Sequence, residues 1–282
     1  MDEAAKSWVC PSCRVSRVAA YCADCGERAP QRRALTWRAV AAKAVHALTN
    51  VDGKLLRSFG LLLRRPGALT LAHVDGPRMP YLAPVPLFLV ANALFFGIQS
   101  LTGLAIFSST LDSHLHRQDW RELAQQLVAL RLQHPPGSVE RYAPEFDRAV
   151  VLYAKSLVVL MAMPFALLTP LVYRAARAPL ITHVAFALHL YAYWLLVFCV
   201  ALLAAKADAL LGGGGIDAPV VDNVLSVLNL IACGVYVHLS SARVFGQRGA
   251  LQIVKAIGLA VAAGAIVIGY RFVLLPITLV LS

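Results

Sequence analysis

Five long apolar stretches dominate the pattern of hydrophobic and polar positions along the chain. A helix needs about 20 mostly apolar residues to cross the hydrocarbon core of a bilayer, and each stretch approaches or exceeds that length. The stretches cover 82–107, 149–173, 183–205, 224–240 and 256–281. The pattern therefore predicts an all-α polytopic membrane protein with about five transmembrane helices.

The fifth stretch leaves two interpretations open, because Tyr270 and Arg271 interrupt it. A helix over 256–281 would be about 39 Å long, whereas the hydrocarbon core is about 30 Å thick. In one interpretation the helix is continuous, and the long side chain of Arg271 reaches the far interface. In the other, the span ends near Tyr270 and the last residues lie on the membrane surface.

The composition agrees with a membrane protein. Of the 282 residues, 59% are hydrophobic and only 15% are charged, whereas soluble domains carry roughly 25% charged residues. A net charge of +11 is also found in nucleic-acid-binding proteins, but in membrane proteins basic residues collect in cytoplasmic loops and attract anionic lipids. We therefore expect contact with anionic inner-leaflet lipids, and we do not expect nucleic-acid binding.

The distribution of basic residues predicts the orientation. The segment before the first stretch holds 13 Lys and Arg residues, whereas the loop over 108–148 holds five, against six Asp and Glu residues. Loops rich in Lys and Arg stay in the cytoplasm. We therefore expect a cytoplasmic N-terminus, a periplasmic loop over 108–148 and, after five spans, a periplasmic C-terminus.

Two CxxC pairs stand near the start of the chain, in "CPSCRVSRVAAYCADCG". Four cysteines at this spacing are a ligand set for structural zinc, and disulfides are not expected in the reducing cytosol. Four thiolates close the site and leave no position for a substrate. A redox dithiol pair and a tail without metal are the alternatives. The predicted zinc ligands of this ribbon or knuckle, a domain over 1–30, are Cys10, Cys13, Cys22 and Cys25, followed by Gly26 where a knuckle often needs a positive φ.

The segment over 31–80 has apolar residues at helical spacing, with many basic residues between them. One candidate helix covers 37–48 and a second covers 55–63, and Pro66 and Gly67 end the second one. Helices of this kind lie on the inner leaflet, with the apolar face in the membrane and the basic face near the head groups. The alternative is a helical hairpin packed on the bundle of spans.

The transmembrane domain, over 81–282, includes the long loop. A stripe of apolar side chains in that loop has helical spacing and ends before "PPG". We expect an amphipathic helix there, which lies on the outer leaflet or caps the bundle. The stripe consists of Trp120, Leu123, Leu127 and Leu130.

Polar side chains inside the apolar stretches are costly to insert, and they therefore mark candidate sites. One interpretation is a cytosol-facing pocket for a substrate, a proton or a lipid head group. The other is that these side chains hydrogen-bond the helices together. The residues of this predicted intramembrane polar site are Asn92, His183, His189, Tyr193 and His238.

The cysteine pairs are followed by "VDGKLLRSFGLLLRRPG", "DGPRMPYLAPVPLFLVANALFF" and "HVAFALHLYAYWLLV". This order of segments resembles a family of bacterial inner-membrane proteins that combine an N-terminal four-cysteine zinc ribbon with a domain of unknown function. It implies a bacterial inner-membrane location and no particular reaction. The positions that match its motifs include Asp52, Gly53, Pro66, Gly67, Gly76, Arg78, Tyr81, Pro84, His183 and His189.

Three functions fit these observations. A non-catalytic scaffold or adaptor, whose zinc head docks a cytosolic protein, agrees with a closed zinc site and with the lack of a P-loop, a nucleophile elbow or an HExxH motif in the sequence. A small-molecule or ion transporter would use the polar pocket. A membrane enzyme acting on lipid would depend on His189 and Tyr193. Assembly into a homo-oligomer is compatible with each of the three.

Overall fold

The computed structural model describes residues 7–27, 53–104, 106–133 and 138–282. The N-terminal head contains a two-stranded antiparallel sheet, in which Trp8–Val9 (β1) pairs with Ser16–Arg17 (β2). Helices make up nearly all the remaining regular structure of these residues. The predicted helix over 37–48 lies outside the described residues.

Ten α-helices are present in the described ranges. They are α1 (Lys54–Arg64), α2 (Ala68–Val74), α3 (Pro84–Thr102), α4 (Leu111–His116), α5 (Arg121–Gln133), α6 (Val139–Leu157), α7 (Ala162–Val172), α8 (Leu180–Leu210), α9 (Pro219–Phe245) and α10 (Ala250–Leu281). A 3-10 turn, Val158–Met161, joins α6 to α7, so these two helices form one long segment.

Within the described part of the chain, five segments are long and apolar enough to cross a membrane, and they indicate a multi-pass membrane protein. The predicted all-α class with five spans and a small cysteine-containing head is therefore confirmed. We call the segments spans 1 to 5, in the order Pro84–Thr102, Val139–Val172, Leu180–Leu210, Pro219–Phe245 and Ala250–Leu281.

The helix boundaries differ from those of the apolar stretches. Span 1 ends before Gly103, whose φ of 73° lies in the left-handed region that glycine adopts at little cost. The helix of span 2 begins at Val139 rather than near 149. Its first turns are polar on one face and bury Tyr142 and Phe146 on the other, so helical spacing rather than continuous apolarity forms them.

Span 5 is one continuous helix through Tyr270 and Arg271. The Tyr270 hydroxyl donates to the Ala154 carbonyl at 2.7 Å, and Arg271 Nη2 donates to Ser109 Oγ at 3.1 Å. Both polar groups therefore bond to neighbouring elements. The structure therefore agrees with the first interpretation of the fifth stretch, in which the helix is continuous.

Span 3 is the central helix of the bundle and contacts spans 1, 2 and 4 and the short helix α2. Its Phe198 lies in an aromatic cluster around Phe107, with ring centroids 5.3 Å apart. Phe95 of span 1 and Tyr270 of span 5 contact the same Phe107 ring at 5.1 and 6.2 Å. Three spans are thus joined by edge-to-face and tilted ring contacts.

The bundle has two ends, which we call the head face and the opposite face. The short links between spans 2 and 3, 3 and 4, and 4 and 5 make neighbouring spans antiparallel. Residues 84, 172, 180, 245 and 250 lie at the head face, and residues 102, 139, 210, 219 and 281 lie at the opposite face. At the opposite face, Tyr142 Oη and Ser282 Oγ are 2.5 Å apart, which joins the start of span 2 to the end of span 5.

The α1–α2 hairpin packs on the bundle. Ser58 of α1 is fully buried, and its Oγ accepts a hydrogen bond from the Leu82 amide at 2.8 Å. Gly67 precedes α2 with a φ of 82°, and a Cβ at this position would lie 2.8 Å from the Ser240 carbonyl oxygen. Arg243 Nη1 donates to the Pro66 carbonyl at 2.6 Å. The second candidate helix therefore packs on the bundle, and its partner in this hairpin is α2, since the candidate helix over 37–48 lies outside the described residues.

Helix α5 lies where an amphipathic helix was predicted. Of the predicted apolar stripe, Trp120 and Leu127 are partly buried against the core, whereas Leu123 and Leu130 are exposed. Ala124 and Val128 of α5 are buried. The small side chains allow α5 to approach the bundle closely. Arg131 then donates from Nε and Nη2 to carbonyl groups near the end of span 5, at 2.9 Å in both cases. Helix α5 thus caps the opposite face.

Candidate metal centre and polar residues of the spans

The two CxxC pairs form two similar turns. The Arg14 amide donates to the Cys10 carbonyl at 2.8 Å, and the Gly26 amide donates to the Cys22 carbonyl at the same distance. The residue after each pair has a left-handed backbone, with φ of 60° at Arg14 and 72° at Gly26. The predicted positive φ at Gly26 is confirmed. Arg14 adopts the same left-handed conformation despite its Cβ, so the two turns have similar backbone geometry.

These turns bring the four thiols together. The Sγ atoms of Cys10 and Cys25 are 3.4 Å apart, and those of Cys13 and Cys22 are 3.3 Å apart. All four Sγ atoms lie within 4.8 Å of one another. A tetrahedral Zn²⁺ with Zn–S bonds of 2.3 Å separates its sulfur ligands by about 3.8 Å. The four cysteines therefore have the geometry to hold a metal ion, and zinc fits this donor set.

The thiols of the cluster differ in acidity. A backbone hydrogen bond at Glu27 lowers the pKa of Cys25, but burial and hydrogen bonds with the other thiols raise it to about 12. Burial raises the pKa of Cys22, but hydrogen bonds from neighbouring amides, from a second thiol and from Arg17 lower it to about 6. The Arg17 guanidinium also pairs with Asp24. Because a metal binds the thiolate form, a cationic side chain beside the cluster offsets part of the negative charge that four thiolates bring.

Glu27 connects the head to the membrane-spanning part and was not identified from the sequence. It is only 3% exposed. One oxygen, Oε2, accepts hydrogen bonds from Ser12 Oγ at 2.6 Å and from the amides of Arg78 and Met79 at 3.2 and 3.4 Å. The one available signal was that Glu27 is the last acidic residue before Asp52 in a strongly basic region.

Three of the predicted intramembrane residues contact different partners on neighbouring helices. His183 Nδ1 lies 3.0 Å from Thr169 Oγ1 of span 2. His189 Nδ1 lies 2.8 Å from Thr70 Oγ1 of α2. Tyr193 stacks on Tyr236 of span 4 with ring centroids 4.2 Å apart. These contacts join span 3 to three separate elements.

The remaining two residues lie elsewhere. Asn92 of span 1 donates from Nδ2 to the Lys155 carbonyl of span 2 at 3.1 Å. His238 lies beside an apolar groove of about 500 Å³ between spans 4 and 5. Four of the five side chains thus make contacts of the kind that tie helices together. His238 Nδ1 has no hydrogen-bond partner among the described residues, and of the five only His238 lines either this groove or a second cavity of about 670 Å³.

The larger cavity lies at the opposite face, in a region the sequence did not single out. It measures about 670 Å³ and is lined by spans 3, 4 and 5 and by the segment before α5. Arg271, Trp194 and Asn229 of the three spans are among the polar residues that line it. The sequence showed Arg271 as an interruption of span 5, but the contribution of Trp194 could not be read from an apolar stretch.

The fold and the cysteine cluster define a multi-pass membrane protein with a small head that can hold a metal ion. Residues 52–96 match a family whose description is "Protein of unknown function (DUF3667)". The matched segment covers α1, α2 and most of span 1, and it includes the close approach at Gly67 and the contact of Thr70 with His189. Neither the search of curated proteins nor the search of solved structures gave a match.

Proposed function

We propose that the protein is a non-catalytic scaffold or adaptor of the bacterial inner membrane, with a zinc head that docks a cytosolic protein. One observation carries the proposal. The head exposes apolar side chains while its thiols face inward: Val9 and Val18 are each 60% exposed and Tyr21 is 55% exposed. So much exposed apolar surface on so small a unit is typical of a docking surface.

The zinc has a structural role in this proposal. Cys10 and Cys22 are buried, and four thiolates complete a tetrahedral coordination sphere. A unit of this size has little apolar core of its own, so bound metal stabilises its fold. Zinc therefore holds the exposed side chains in place and takes no part in a reaction.

The orientation follows from charge. The exposed side of α1 combines Leu56 and Leu63 with the basic residues Arg57, Arg64 and Arg65. Such a surface suits anionic lipid head groups. Because basic segments remain in the cytoplasm, the head face is cytoplasmic, and α4, α5 and the C-terminus are periplasmic.

Site-specific photo-crosslinking in intact cells tests this proposal. A photo-crosslinking amino acid at Val18 is expected to capture a cytosolic protein. The control position is Leu211, which is 89% exposed at the opposite face and is expected to capture none. The double substitution Val9→Ser with Tyr21→Ser, which leaves all four thiols in place, is expected to abolish the capture.

Two results would contradict the proposal. Capture of cytosolic proteins from position 211 would reverse the orientation. Capture at position 18 that persists in the Val9/Tyr21 variant would show that the apolar surface of the head does not select the partner. Measurement of bound zinc in that variant confirms that the head still holds its metal.

The transporter and the lipid enzyme receive less support. As predicted from the sequence, these functions need His183, His189 and Tyr193 to converge on one pocket, whereas the three side chains contact Thr169, Thr70 and Tyr236 on three different elements.

A further inference from the structure

A cleft lies between spans 4 and 5 towards the opposite face. Nearer the head face, a Cβ on Gly234 of span 4 would lie 3.6 Å from Cβ of Ala260 of span 5. Further along, span 3 and the segment over 106–118 form the other walls of a cleft of about 670 Å³. The three spans thus form the sides of the cleft, and the segment over 106–118 lies at its opposite-face end.

Three polar atoms of side chains that line this cleft have no hydrogen-bond partner among the described residues. They are Nε of Arg271, Nε1 of Trp194 and Oδ1 of Asn229. Trp194 is 3% exposed and Asn229 is 6% exposed. A buried polar atom without a partner destabilises the fold. Three of them lining one cleft indicate that a ligand completes their hydrogen bonds.

The types of these atoms define the ligand. Arg271 and Trp194 supply N–H donors, and the hydroxyl groups of Ser109 and Thr110 line the same cleft. Donors on several elements suit a group with several acceptor oxygens. Asn229 Oδ1 is an acceptor, since Nδ2 of the same side chain donates to the Leu225 carbonyl at 2.8 Å. The ligand therefore carries a hydrogen-bond donor beside its anionic group.

The charges favour a monoanion. Among the described residues that line the cleft, Arg271 and Arg117 are cations and Asp222 is an anion that acts electrostatically on Arg271, so the lining carries a net charge of +1. His114 is close enough to Arg271 to be repelled by it. Burial, and secondly this repulsion, lower the pKa of His114 to about 4, so it adds no charge at neutral pH.

The outer side of the cleft is apolar. Leu230 and Ile268, which line it, are 38% and 56% exposed on the surface of the bundle. That surface belongs to the membrane-crossing segments, so it faces hydrocarbon. A ligand with acyl chains can thus leave the chains in the bilayer and place its polar group inside.

We infer that the cleft binds the phosphodiester head group of a membrane phospholipid. Arg271 and Trp194 donate to the phosphate oxygens, and a hydroxyl or ammonium group of the head-group alcohol donates to Asn229. This site lies at the end of the bundle away from the head, and it does not depend on the proposed adaptor function.

Native mass spectrometry of the delipidated full chain in detergent tests the inference. The probe is dioctanoyl phosphatidylglycerol, compared with dioctanoyl glycerol, which lacks the phosphate, and with inorganic phosphate. Arg271→Gln removes the cation, and Trp194→Phe removes one N–H donor while keeping an aromatic ring beside Phe198. The control is Arg174→Gln, which changes an exposed arginine at the head face.

The chain is expected to bind phosphatidylglycerol and not the diacylglycerol. Because a hydrogen bond to a charged group contributes about 1.5–3 kcal/mol, Arg271→Gln should weaken binding about tenfold or more. Trp194→Phe should weaken it about threefold to tenfold, and Arg174→Gln should leave it unchanged. If Arg271→Gln fails to fold, the affinity for phosphatidylglycerol is compared in Trp194→Phe and Arg271→Lys instead. Arg271→Lys keeps the positive charge but loses the planar fork of donors, so it should also bind more weakly.

Equal affinity of the Trp194→Phe variant, the Arg271→Gln variant and the unmodified chain would overturn the inference. Binding of inorganic phosphate without binding of phosphatidylglycerol would also overturn it, because the ligand would then be a free phosphate. Displacement of phosphatidylglycerol by inorganic phosphate would support recognition through the phosphate group.

Discussion

Replacement of Glu27 by alanine is expected to release the head from the bundle while the head keeps its metal. The substitution removes the acceptor of the Arg78 and Met79 amide bonds. A hydrogen bond to a charged group contributes about 1.5–3 kcal/mol. Because these two bonds are long, at 3.2 and 3.4 Å, we take the lower value for each. The expected loss is about 3 kcal/mol, or roughly a hundredfold change in the ratio of docked to released head.

Hydrogen exchange measures this release directly. The peptide that contains Arg78 and Met79 should exchange roughly a hundredfold faster in Glu27→Ala, and Glu27→Gln, which keeps an acceptor oxygen, should lie between the two. Asp24→Asn is the control, because Asp24 is an exposed acid on the same head that pairs with Arg17. Unchanged exchange of the Arg78–Met79 amides in Glu27→Ala would refute the reasoning.

Three further predictions concern stability. Arg14→Gly should stabilise the head by about 1 kcal/mol, because a left-handed backbone strains a residue with a Cβ, and zinc retention under chelator challenge measures it. Gly67→Ala should destabilise the chain by more than about 2 kcal/mol through the contact with Ser240, whereas Gly60→Ala, with open space around it, should not lower the thermal midpoint. His114 has a folded pKa of about 4, below its unfolded value of 6.5, so the unfolded chain binds more protons between these values. Stability should therefore fall by up to about 3 kcal/mol as the pH is lowered from 6.5 to 4, and an unfolding series that shows the same slope in His114→Phe would contradict this.

The fold class could be predicted because the apolar stretches are long. The helix boundaries could not, since they depend on local features. Span 1 ends where Gly103 takes a left-handed backbone. Span 2 begins earlier because Phe146 is buried under α4, close to the His114 ring at 6.0 Å. Neither feature changes the mean apolarity of a stretch.

The candidate metal centre could be predicted because all four cysteines lie within 16 residues of sequence, and short turns determine their geometry. The polar residues of the spans could not be assigned in the same way. Thr70 and His189 are 119 positions apart, and only tertiary packing reveals their contact. The cleft at Arg271 likewise depends on atoms from three spans and a loop.

Zinc analysis of the full chain purified from membranes tests the central claim most directly. One zinc per chain is expected, and Cys10→Ser with Cys13→Ser should abolish binding, because two thiolates are too few to hold the ion in a structural site. Cys199→Ser with Cys233→Ser is the matched control, since these buried cysteines lie in spans 3 and 4 and should leave the zinc in place. A chain that carries no zinc while its four head thiols are reduced and reactive would contradict the account.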